Sequence, residues 1–270
     1  MGQPPIYSNY PRGGNAWGGY PPGVYFDFIG KAWAEVKQNL GTWVVTTLVA
    51  GLLYFGVAMG FSFALNMMIT GSPVGDPANP NAANSSPAGI IGQILMNAAL
   101  SALQAILVTG MVRMALDQLQ GREVSFRLFA TMPKAVPLLI VGFLGGLMTA
   151  VGVLLCVIPG IYLYGVLAFA SMYVAFKDEP AITAITSSMN TLKPYAWSMF
   201  GLQLVLGLLI FVSMLCCGIG ALFTVPIAAM TMAMHWNVFE PEGPMPGSYG
   251  GPTTPQPPTE GPGMSAPPPY

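Results

Sequence analysis

From Val136 to Phe176 the chain runs 41 residues without one Asp, Glu, Lys or Arg. A soluble fold needs a charged surface to stay dispersed, and so long an uncharged apolar run does not supply one. As one helix it would be about 60 Å long, roughly twice the hydrocarbon thickness of a bilayer. It must therefore cross, reverse and cross again. Proline breaks a helix and glycine permits the reversal, so Pro159-Gly160 is the expected turn.

Three further uncharged stretches have the length of a span: Thr42–Thr70, Ile90–Val112 and Tyr195–Phe239. The last is too long for one crossing and divides at Cys217-Gly218-Ile219-Gly220. The expected fold is all-α: a polytopic membrane protein with six transmembrane helices in three hairpins. The spans fall at about 42–70, 90–112, 136–158, 161–176, 195–217 and 219–239. Composition agrees, since charged residues are only 7% of the 270 residues against roughly 25% in a soluble domain. The net charge of −1 gives no electrostatic footprint for nucleic acid.

Charge placement sets the expected orientation. With six crossings, all nine Lys and Arg fall on the side of the N-terminus, and the outer loops carry only Asp76. By the positive-inside rule both termini are cytoplasmic. The fourth segment, Ile161–Phe176, is short. A re-entrant loop there would carry Lys177 and Lys193 to the outside, so the charge pattern favours a full crossing.

Amphipathic stripes precede the hairpins. Phe26, Ile29, Trp33, Val36 and Leu40 form one, and Ile182, Ile185, Met189 and Leu192 another, beginning after Asp178-Glu179-Pro180. Val124, Phe126, Leu128 and Phe129 are a weaker third. These read as interfacial helices in the headgroup plane. Lys37 and Lys193 each lie fourteen residues before a Gly-Leu-Leu, at Gly51 and Gly207, which suggests an internal repeat.

The ends differ in kind. Residues 1–23 and 241–270 hold 16 of the 26 prolines and have no periodic apolar stripe, so they are expected to be disordered and dispensable for folding of the 24–240 core. The first of them lacks the apolar core of a cleavable signal peptide. The terminal Pro267-Pro268-Pro269-Tyr270 has the form of a WW-domain ligand, but it also fits the end of a low-complexity tail.

Few residues invite a chemical role. Gln93, Asn97, Ser101 and Gln104 follow one another in steps of four, four and three along the second span, with Asn66 and Gln203 as further candidates. Amides in hydrocarbon need partners, so this stripe is either interhelical hydrogen bonding or a polar path. Cys156, Cys216 and Cys217 are placed near one membrane face. They are small buried thiols, or a disulfide from Cys156 to one of the vicinal pair, or with Met214 a soft Cu(I) site. His235, beside Trp236, reads as an interfacial residue rather than a ligand. Gly56/Gly60 and Gly142/Gly146 have GxxxG spacing, read as packing within one chain or, second, as a dimer seam. No cofactor, metal site or catalytic group is expected, and no span carries the charged residue that coupled transport requires.

The run Leu154-Leu155-Cys156-Val157-Ile158-Pro159-Gly160-Ile161, then Glu179-Pro180, Ala184-Ile185-Thr186-Ser187-Ser188 and Trp197, resembles the membrane domain of bacterial glycerophosphodiester phosphodiesterases and its stand-alone relatives. The resemblance covers about Gly121–Phe239. It implies a bacterial inner-membrane protein and says little of function. Relatives usually carry an acidic residue before the alanine and basic residues after it, where this chain has Thr183, Thr186 and Ser187. The catalytic domain of those enzymes has no counterpart here, and one histidine cannot furnish its metal site.

The expected role is therefore non-enzymatic: a scaffold or accessory subunit whose cytoplasmic tails recruit partners. The alternative is a passive channel or facilitator lined by the stripe on the second span. The bilayer is the expected environment, with other membrane proteins or a second copy of the chain as candidate partners.

Overall fold

The computed structural model describes residues 20–70, 87–122, 124, 135–155, 157–215 and 219–240. Among these residues the secondary structure is entirely helical. Helix α1 (Phe28–Val36) passes through one 3-10 turn, Lys37–Asn39, into α2 (Leu40–Thr70). Then follow α3 (Pro87–Leu119), α4 (Ala135–Leu155), α5 (Val157–Val166), α6 (Ala170–Lys177) and α7 (Ala181–Leu192). A second 3-10 turn, Lys193–Tyr195, leads into α8 (Ala196–Leu215), and α9 (Ala221–Phe239) completes the set. Six helical segments are long and apolar enough to cross a membrane, α5 and α6 together making the fourth. This is a multi-pass membrane protein.

The repeat suggested by the two lysines has a structural counterpart. In both places a short helix meets a 3-10 turn that begins at the lysine, followed by a long span. Gly51 and Gly207, at equivalent places in those spans, both face open space.

Three helix ends have a local cause. Gly121, at φ +72°, closes α3 in the left-handed conformation, and its N–H donates to the Gln118 carbonyl. Asp178 plays the same part for α6 at φ 60°. Pro180, extended at ψ 150°, then starts α7.

The helices alternate in direction, so every described Asp, Glu, Lys and Arg falls at one end of the bundle. We call it the charged end. The last helix is the central one: 67% of the most apolar part of α9 is buried, against 17% for α2, α3, α4 and α8. Helix α9 packs on α1, α2, α3 and α8, while the most extensive pairing is α3 with α4.

The structure corrects the sequence reading in two places. Pro159-Gly160 is not the reversal but sits in the first turn of α5, where a proline costs no helical hydrogen bond. Gly160 serves close approach instead, since a Cβ there would come within 2.8 Å of the Val153 Cα in α4. On α1 the stripe expected in the headgroup plane leaves Phe26 and Trp33 exposed, and it shares Val36 with the buried face of Phe28, Ala32, Glu35 and Val36. Likewise α7 buries Ala184, Ile185, Ser188 and Leu192 and exposes Ile182. In a protein bathed in lipid, large apolar side chains gain nothing by turning inward, and small residues allow the closer contact. Finally, residues 20–23 belong to the folded part, because Tyr20 packs on Tyr25 and Phe28. The rest of the two tails, the weaker amphipathic stripe beyond Val124 and all three cysteines lie outside the described residues.

Candidate functional site

The charged end carries the densest set of polar and aromatic contacts. His235 of α9 is fully buried, and its Nδ1 lies 2.8 Å from the Thr231 carbonyl one turn back. Its Nε2 accepts the backbone N–H of Tyr25 at 3.0 Å. Together these contacts require the neutral tautomer with the proton on Nδ1. The Phe28 ring stands edge-on to the imidazole, with centroids 4.9 Å apart. Tyr20 and Tyr25 extend that cluster, and Lys31 Nζ reaches both the Tyr20 hydroxyl, at 2.8 Å, and Asp27, at 2.7 Å. So the segment entering α1 is fastened to the end of α9.

Next to it, Trp236 lies among Phe169, Tyr173 and Phe176 with centroids 5.1–5.6 Å apart. The Tyr173 hydroxyl donates to Glu240, so it accepts from Thr191, 2.7 Å away. Lys177 pairs with the same Glu240. A third fastening joins the start of α2 to the end of α3. Trp43 Nε1 donates to Gln118 Oε1 at 2.8 Å, and Gln118 Nε2 donates to the Glu35 carbonyl at 2.6 Å. Arg122 lies 3.2 Å from the buried Asp117.

The fourth span is broken at Leu167–Phe169, between α5 and α6. A break inside a bilayer leaves backbone groups without helical partners, and in discontinuous transporter helices such groups meet the ligand. Here Ser188 of α7, fully buried, meets them. Its hydroxyl donates to the Val166 carbonyl at 2.6 Å and accepts the Phe169 N–H at 3.2 Å. Thus one serine of the Ala184–Ser188 run closes the break. Its role was invisible in the sequence, which showed a hydroxyl-rich helix but not the gap it faces.

The four polar residues of the second span divide between two faces. Ser101 turns onto α4, where its hydroxyl donates to the Gly142 carbonyl. Asn97 and Gln104 are exposed on the outer face, and the Asn97 side-chain N–H donates to the Gln93 carbonyl of its own helix at 2.9 Å. Gln93 and Gln203 are half-buried, and the Asn66 side chain lies outside the described residues. The GxxxG pairs divide as well. A Cβ on Gly142 would come within 2.7 Å of the Ala102 Cα, and one on Gly146 within 3.1 Å of the Ala98 Cα. Gly56 and Gly60 meet nothing within 4 Å. Among the described residues no three His, Cys, Asp or Glu side chains are placed to hold a metal ion.

No protein-family model matches the sequence. No solved structure matches it either. An uncharacterised protein of Mycobacterium bovis and uncharacterised proteins from two strains of Mycobacterium tuberculosis are each 28% identical to it over 210 residues. Those matches take in 76% of this chain and 65% of each relative, so the chain spans just under two thirds of their length. This chain is thus a multi-pass membrane protein distantly homologous to uncharacterised mycobacterial proteins.

Proposed function

We propose that this chain is a non-enzymatic scaffold or accessory subunit of a bacterial inner membrane, with both Pro-rich tails in the cytoplasm. The observation that carries the reading is where the tails begin. Tyr20, at the start of the described chain, stands edge-on to Tyr25, whose amide is held by His235. Glu240, five residues after His235, is held by Tyr173 and Lys177. Both tails therefore join the folded part at one firmly built platform, an arrangement suited to presenting two Pro-rich segments to one partner.

Supporting arguments come from charge and from the fourth span. The positive-inside rule puts the charged end in the cytoplasm. With Ser188 occupying the helix break, the backbone groups a transporter would offer to a solute are taken by the protein itself. The glycerophosphodiesterase-type membrane-domain resemblance fits an accessory role, since such a domain accompanies an enzyme without supplying its catalytic residues.

Crosslinking followed by pull-down from native membranes tests the reading, using the full chain and a chain lacking residues 241–270. The expected result is a defined set of proteins recovered with the full chain and lost with the truncated one. Recovery of the same set by both chains overturns it. Labelling of introduced cysteines at positions 80 and 250 checks orientation, with residue 250 expected to react only from the cytoplasmic side.

A further inference from the structure

We propose that the outer face of α3 carrying Asn97 and Gln104 is the seam between two copies of this chain within the bilayer. The argument starts from depth. The uncharged run of this span is Ile90–Val112. At 1.5 Å rise per residue, Asn97 and Gln104 each lie about 10 Å or more from either end of that run. Both side chains are exposed on the single chain. An amide facing hydrocarbon at that depth lacks the water that would satisfy it, and membrane proteins place such groups against other helices.

The two residues are seven apart, two helical turns, so they share one line along the helix. Neighbouring faces of α3 are already occupied. Ala98, Ser101 and Ala102 are packed beneath Gly142 and Gly146 of α4, and Met96 meets Ser62 of α2 at 3.7 Å. Between α2 and α4 the strip that carries Asn97 and Gln104 is open. Among the described residues Gln104 makes no hydrogen bond, and the Asn97 amide makes only the bond to its own helix.

A second copy is the occupant that this chemistry selects. A primary amide is both donor and acceptor, so it is complementary to itself. A two-fold axis along the membrane normal keeps every residue at its own depth, bringing Asn97 to Asn97 and Gln104 to Gln104. A different protein would need two amides of its own at the same two depths. Symmetry supplies them without further requirement. This seam is independent of the tails and of the role proposed for them.

Counting subunits of the fluorescently tagged full chain, by photobleaching steps in liposomes over a range of protein-to-lipid ratios, tests the proposal. Wild type is expected to give two steps. The Asn97→Leu/Gln104→Leu chain is expected to pair about 10- to 100-fold more weakly, as for the loss of two amide contacts in a membrane. Leucine is well suited to lipid, so that variant keeps its fold, which the unchanged helical circular dichroism and unfolding midpoint verify. Gly56→Leu/Gly60→Leu, on the open face of α2, is expected to pair like wild type. Single steps from wild type at every ratio, or undiminished pairing of Asn97→Leu/Gln104→Leu, overturns the proposal. Loss of pairing in the Gly56→Leu/Gly60→Leu chain assigns the seam to α2 and overturns it as well.

Discussion

The two ends of the bundle are built on different principles. At the charged end, helices are joined by named polar contacts: His235 to Tyr25, Gln118 to Trp43 and Glu35, Glu240 to Tyr173 and Lys177. At the other end the chain offers lipid a coat of large apolar side chains, with Met68, Leu154, Leu155 and Leu215 all more than 60% exposed. Contacts there rest on small residues, as where Gly152 meets Gly160 and Gly220 meets Ser213. Lipid removes the hydrophobic reason for apolar side chains to turn inward. What holds helices together is then close packing and hydrogen bonding, and the hydrogen bonds are concentrated where the chain meets water.

The sharpest way to break this contrast is to empty the aromatic cluster. Trp236→Ala removes the ring that Phe169, Tyr173 and Phe176 surround and is expected to cost about 3–5 kcal/mol of stability. Unfolding titrated with denaturing detergent measures it, and a cost below 1 kcal/mol would deny the charged end its special standing. Next in size, Gly146→Val forces α3 and α4 apart at Ser101 and Ala98, with an expected loss of about 1–3 kcal/mol by the same titration. Gly56→Val, on an open face, should change little.

Gln118→Leu leaves the Trp43 N–H without its partner and removes one of the donors to the Glu35 carbonyl. The expected loss is about 1–2 kcal/mol, read again from the detergent midpoint. The smallest effect belongs to the lipid coat. Leu208→Ala, 59% exposed on α8, should stay within about 0.5 kcal/mol of wild type. A larger loss would mean that this face is covered by protein rather than lipid.

The spans were legible because bilayer thickness converts directly into a length of uncharged chain, and the run from Val136 to Phe176 could be resolved no other way. Faces were less legible. In water the large apolar side mostly marks the interior, but Phe26, Trp33 and Ile182 point outward here and Ala32 and Ala184 point inward. A proline near a helix start also looks like a turn in the sequence, which is how Pro159 suggested a reversal. The contacts of the charged end were the least legible. His235 and Tyr25 are 210 residues apart, and nothing local to either marks the other. Ser188 faces a break whose existence depends on how α5 and α6 pack, and the amide stripe divided because Ser101 alone sits opposite the glycines of α4.

The bond from Tyr25 to His235 also bears on the order in which the chain is made. The segment entering α1 leaves the ribosome long before α9, the last of the described helices, has been synthesised. Until then the Tyr25 amide has no imidazole to meet, and α1, α2 and α3 lack the central helix on which all three pack. The early spans must therefore wait in the bilayer as a partial assembly, and the bundle closes only when α9 enters between them. That makes the early helices natural clients of whatever holds unfinished membrane proteins during insertion. It also makes any stall in translation before Ala221 more harmful to this fold than its place late in the sequence would suggest.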